Sequence, residues 1–220
     1  LSIGYQVRLF TKKYKRTCAA VILLFVSIIL GIVGTTWGMM EANRQRDIAE
    51  GRYNEIINFA SEYTGGFYAG IVKLNAGLKV RKLVLDSTLR HLDELEKTAG
   101  PTEQIRSLRG NTHRFYGAYF SGNNAANVGD LENARLHYDK ALAIYNELID
   151  EDFSKYIYPK SIILWRMGGL HKNASEYQAS ISRFAKALET INVYLQEYSE
   201  DKNAQRVKKL IEMSRVDALV

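Results

Sequence analysis

Four histidines, one cysteine and a few acidic runs are the residues that could carry chemistry in this 220-residue chain. His91, His113, His137 and His171 stand far apart, and no His-Glu-x-x-His or paired-cysteine spacing supplies a metal-ligand set. Asp93, Glu94 and Glu96, like Asp150 to Asp152, read as solvated helix faces and loops rather than as an acid–base pair. No Gly-x-Ser-x-Gly occurs, and Gly65-Gly66 and Gly168-Gly169 lack the context of a phosphate cradle. The sequence therefore offers no catalytic, cofactor-binding or metal-binding set. Cys18, being alone, forms no intramolecular disulfide. It reads as a small apolar residue, with S-acylation as the alternative. What remains is binding, for which Arg114, Tyr119, Trp165 and Lys172 are the candidates.

Charge narrows the class of partner. The formal net charge is +6, and Arg8, Lys12, Lys13, Lys15 and Arg16 all precede an uncharged run while no acid does. A nucleic-acid-binding protein carries its basic excess on the folded domain. Here the excess sits beside a hydrophobic segment, where anionic lipid head groups attract it. Membrane lipid is thus an expected partner and nucleic acid is not.

The uncharged run extends from Thr17 to Met40. Roughly 20 apolar residues at about 1.5 Å rise each span a ~30 Å hydrocarbon core. Unlike a soluble core helix, the run shows no polar face. Trp37, near its far end, suits the interface. Arg44, Arg46 and Arg52 follow, mixed with Glu41, Asp47, Glu50 and Glu55. The positive-inside rule then places the N-terminal stub in the cytoplasm and residues from about 41 onward outside. A cleaved signal peptide would have a shorter apolar region and a small-x-small site, which GTTWGMM supplies poorly. Leu1 is not methionine, so a processed start or an origin in a longer chain is expected.

The rest reads as helix, with two prolines in the whole chain and no convincing alternating strand pattern. A helix leaves the membrane from Glu41 to about Tyr68, with Gly65-Gly66 bending it and a break near Asn75-Ala76-Gly77. A second runs from about Lys79 to Thr98 and stops at Gly100-Pro101. A third covers about Thr102 to Phe120, before a break at Gly122-Asn123-Asn124. Asp130 caps a fourth, whose Leu131, Ala134, Tyr138, Ala141, Tyr145 and Leu148 share one face. Pro159 is expected to open a fifth at its first turn. Ser175 to Gln178 suggests a capping box before a sixth. Ala204, Val207, Leu210 and Ile211 mark a last amphipathic helix.

Two of these segments resemble each other: ENARLHYDKALAIYNEL from Glu132 and ASISRFAKALETINVYL from Ala179. Ala134, Tyr138 and Ala141 match Ser180, Phe184 and Ala187, with Leu164, Met167, Gly168 and His171 upstream of the second set. The pattern resembles the tetratricopeptide repeat, in which small residues let paired helices approach and an aromatic fills the space between hairpins. The copies are spaced more widely than the usual repeat, with additional residues between about Asp150 and Pro159. Gly117-Ala118 stands where a longer apolar residue and glycine are expected. The fold class is all-α: one transmembrane helix followed by a helical-hairpin solenoid. Its divisions are a basic stub (1–16), the membrane helix (17–40), stalk and linker helices (41–100) and divergent repeats (101–220).

Taken in order, GYQVRLFTKKYKR, the apolar run with GTTWG, GRYNEIINFASEY, VRKLVLDSTLRHLDELEKTAG and SGNNAANVGDLENARLHYDKALAIY span nearly the full length. The set resembles the C-terminal half of bacterial transmembrane serine/threonine protein kinases with tetratricopeptide sensor domains. That family often has Pro-Gly where this chain has Asn75-Ala76-Gly77. No glycine-rich phosphate loop, His-Arg-Asp loop or Asp-Phe-Gly site is present. The resemblance implies a kinase domain, with its ATP and Mg, upstream of Leu1, and a bacterial cytoplasmic (inner) membrane location. It also implies a protein or peptide partner on the repeats, or pairing with a second copy. The concave surface of such repeats is lined largely by the first helix of each pair, where Arg114, Tyr119, Trp165 and Lys172 are expected to face a partner. The competing readings are a DNA-binding or nucleotide-cyclase output on the same anchor, and a tethered scaffold with no enzymatic partner.

Overall fold

A computed structural model of the chain describes residues 12–62, 77–121 and 127–219. The expected breaks at Gly65-Gly66, Asn75-Ala76 and Gly122 to Asn124 lie outside the described residues, as does Arg8. Among the described residues there are seven helices and no strand.

The expected membrane segment and the stalk residues described after it, as far as Glu62, form one unbroken helix, α1 (Lys15–Glu62), of 48 residues and about 72 Å. It is long and apolar enough to cross a membrane. Every side chain from Leu23 to Met40 is exposed, Trp37 included. Its hydroxyls cover their own cost: Ser27 donates to the Leu23 carbonyl (2.9 Å), Thr35 to Gly31 (2.8 Å) and Thr36 to Ile32 (2.7 Å). Ion pairing begins where the apolar stretch ends, with Arg44 3.9 Å from Glu41 and Arg46 on Glu50 at 2.9 Å. Lys12, Lys13, Lys15 and Arg16 are exposed at the N-terminal side.

The second unit starts at Ile56. Beyond the α1 terminus it contains α2 (Leu78–Ala99), α3 (Glu103–Ser121), α4 (Leu131–Glu151), α5 (Phe153–Asn173), α6 (Tyr177–Glu197) and α7 (Lys202–Val216). Each of α3 to α7 packs on the helix before it, and α3 with α5, and α5 with α7, also touch. The largest core cluster joins α4 and α5 through Tyr138, Ala141, Tyr145, Leu148, Ile163 and Met167. A second joins α5, α6 and α7 through Leu164, Phe184, Ile191, Ala204 and Ile211.

The two similar segments sit on glycines in the same way. A Cβ on Gly117 would lie 2.5 Å from the Tyr138 ring, and one on Gly168 would lie 2.5 Å from the Phe184 ring. Each aromatic therefore lies flush against the backbone of the preceding helix, which any side chain at the glycine would block. Met167-Gly168 thus corresponds to Tyr116-Gly117. The structural counterpart of Gly168 is therefore Gly117 itself, so the pairing lies one residue before the Gly117-Ala118 alignment read from the sequence.

Asp130 caps α4 as expected, accepting from the Asn133 N–H at 3.0 Å. Two other boundaries differ from the sequence reading. α5 begins nearly two turns before Pro159, which lies inside it. Asp152 is the reason: its N–H closes α4 on the Leu148 carbonyl (2.9 Å), and its carboxylate accepts from the Lys155 N–H (3.1 Å). One residue ends one helix and starts the next, so the supposed insertion is the first part of α5.

The capping box at Ser175 does not form. Ser175 has φ +60° and ends α5 instead: its N–H reaches the Lys172 carbonyl (3.0 Å), and the Glu176 N–H reaches His171 (2.8 Å). That is a Schellman closure with serine in the left-handed position glycine prefers.

Candidate functional site

The four candidate binding residues occupy three settings. Tyr119 is buried in the α2–α3 core with Val84, Leu85 and Tyr116, and the Arg81 guanidinium lies 5.7 Å from its ring. Arg114 is half-buried; it donates twice to the Asn111 side-chain oxygen (3.0 and 2.6 Å) and lies 4.1 Å over Phe115. Trp165 and Lys172 come together on the side of α5 that meets α7. The Trp165 indole N–H donates to Ser214 Oγ (3.1 Å), and Lys172 Nζ approaches Asp217 at 3.8 Å. On the same line of α5, Tyr158 stacks on Tyr194 at 5.2 Å, and Tyr194 stacks on Tyr198 at 4.7 Å. The face expected to receive a partner is thus occupied in part by α6 and α7. Arg114 and Lys172 retain partial exposure.

Sequence separation concealed a second cluster. His113 on α3 and His137 on α4 bring their Nδ1 atoms to 3.0 Å. The His137 ring stacks on Tyr116 at 4.5 Å and on Phe120 at 5.6 Å. Burial pushes both imidazoles down to about 4, and for His113 the neighbouring His137, Lys140 and Arg109 add to it while Asp93 opposes. Both rings are therefore neutral at pH 7, with one N–H shared across the contact. The signal was present but indirect: His137 adjoins Tyr138, and His113 is one turn from Gly117, the two residues that set the α3–α4 approach.

A third node fastens the α5–α6 turn to α4. His171 Nδ1 lies 2.5 Å from the Glu176 carboxylate, which also accepts two bonds from Arg135 at 2.9 and 3.0 Å. His171 first, and then Arg135, hold that carboxyl below its usual range. At the far end of α4, Glu103 accepts from Lys155 and Tyr156, both at 2.5 Å, and Arg106 is paired with Glu151 at 2.6 Å. These networks join consecutive helices. No group of three or more metal-ligating side chains converges among the described residues. The ion pairs and hydrogen bonds of these networks fix the register of neighbouring helices. Comparison with protein families, with curated proteins and with solved structures finds no match to this chain.

Proposed function

We propose that this chain is the membrane-anchored sensor or interaction region of a bacterial serine/threonine protein kinase. Its helical hairpins bind a protein or peptide outside the membrane, or a second copy of the chain, and signal to a kinase domain on the cytoplasmic side. The observation that carries the binding part is the repeated glycine–aromatic seat, Gly117 with Tyr138 and Gly168 with Phe184. It supports reading α3 to α6 as two copies of one hairpin, the kind of unit that stacks into an extended binding surface. The exposed apolar stretch of α1 supports anchoring. The basic residues before it and the mixed charge after it support a cytoplasmic N-terminal side. The kinase assignment rests on the ordered resemblance of stub, apolar run, stalk and first repeat.

Signalling through such a region requires that the partner bind one arrangement of two anchored chains better than another, because a ligand without differential affinity shifts no equilibrium. The test is the intact mass and N-terminal sequence of the native protein. Kinase loops ahead of Leu1, with ATP-dependent phosphorylation by the purified full-length protein, are the expected result. A native start within a few residues of Leu1 would refute the kinase assignment.

A further inference from the structure

Several cations of the second unit already face a carboxylate: Arg106, Arg109, Arg135 and Lys155 each lie 2.5–2.9 Å from one. Lys160, Arg183 and Lys186 have no ion-pair partner among the described residues, yet all three line one groove of about 500 Å³. The groove runs between α4, α5 and α6, on different residues from the Trp165–Lys172 row. Glu189 is the one acid along it. Its walls include Ile157 together with Phe153 and Val193, the last two 49% and 37% exposed.

We propose that this groove docks an acidic amphipathic segment of a partner protein. Carboxylates of the segment pair with Lys160, Arg183 and Lys186, and its apolar side chains cover Phe153 and Val193. Charge complementarity selects this occupant. Three uncompensated cations on a partly apolar wall match alternating Glu and Leu on one helix face. A phosphate or lipid head group would leave Phe153 and Val193 uncovered, whereas the apolar face of the segment covers both. The inference rests on the reading of these helices as a partner-binding region and names the chemistry of the partner.

The test uses the full chain in phosphatidylcholine nanodiscs. The probe is a fluorescein-labelled helical peptide of Leu and Glu, compared with its Leu/Gln isostere by anisotropy. Binding of the Glu peptide, roughly tenfold tighter than the Gln peptide and weakened by salt, is expected. The K160Q/R183Q/K186Q variant should bind both peptides alike, and Phe153→Ser should weaken both. Circular dichroism checks that the variants fold. If the triple variant does not, Lys186→Gln alone, at an exposed position, should still narrow the preference. Equal binding of the two peptides by the unaltered chain, or an undiminished preference in the folded variants, would overturn the proposal. So would groove-dependent attachment to phosphatidylglycerol vesicles without any peptide preference. A chain that crosslinks to one defined protein but ignores the Glu peptide would refute the acidic-segment inference and leave the partner-binding reading intact.

Discussion

Acidification should loosen the α3–α4 contact specifically through His113 and His137. Both imidazoles are pushed down to about 4 in the folded chain, chiefly by burial, against about 6.5 in an unfolded one. The unfolded state therefore binds more protons between those values, and stability falls as pH falls. From pH 7 to pH 5 the linkage amounts to about 2 kcal/mol per histidine before screening. His137 is only half-buried, so a reduction by half for solvent screening leaves roughly 2 kcal/mol for the pair. The charges facing them are Lys140 on α4, Arg109 on α3 and Asp93 on α2. Arg109 is already bound to Asp93 and Glu96 at 2.7 and 2.6 Å, so little carboxylate charge is free to pair with a newly formed imidazolium. The carboxylates held low, such as Asp86 and Glu176, lose their contribution mostly below pH 5, which keeps the two effects apart. The assay is urea unfolding of the full chain in detergent. With Trp37→Phe, Trp165 becomes the sole indole reporter. The H113N/H137Q variant should lose most of the slope between pH 7 and pH 5. An equal slope in the variant, or stability that rises on acidification, would refute the reasoning.

Further outcomes follow from the packing and the turns. Gly168→Ala should cost about 1–3 kcal/mol by overpacking, since the new Cβ would meet the Phe184 ring at 2.5 Å; urea midpoints measure it. Gly117→Ala should do the same against Tyr138, whereas Gly51→Ala, with open space around it, should not destabilise the chain. Ser175→Gly should stabilise by about 0.5–1 kcal/mol by relieving the left-handed serine, and Ser175→Val should destabilise; thermal melts decide the sign. Asp152→Ala should cost about 1 kcal/mol, because it removes the oxygen that accepts from Lys155 N–H and Ser154 Oγ; hydrogen exchange at the start of α5 locates the loss.

Much of the helical layout was legible because its signals are local. The apolar spacing of Val84, Leu92 and their neighbours gave α2, and Gly100-Pro101 its end, to within a residue. Asp130 was readable as a cap because nothing competes for it. The start of α5 was not readable, because Pro159 offers a conspicuous opening signal while Asp152 is hidden in a run of acids that looks like solvated loop. Ser175-Glu176 has the composition of a capping box, yet the C-terminus of α5 claims both residues first, and a helix end is settled by whichever backbone donors lack partners. The candidate surface was less legible than the helices. Tyr119 and Trp165 carry the composition of binding residues, but periodicity alone does not say which aromatic a neighbouring helix will cover. The His113–His137 contact depends on the register of two helices, fixed by Tyr138 seating on Gly117, and no spacing within either helix announces it.

The most direct test of the account is the sidedness of the chain. In a Cys18→Ala background, Ser2→Cys and Ser182→Cys would be labelled separately with a membrane-impermeant maleimide on intact spheroplasts. The account predicts labelling at position 182 alone, with position 2 reacting only after lysis. Equal labelling of both sites before lysis, protection of position 182, or recovery of the chain in the soluble fraction would contradict it.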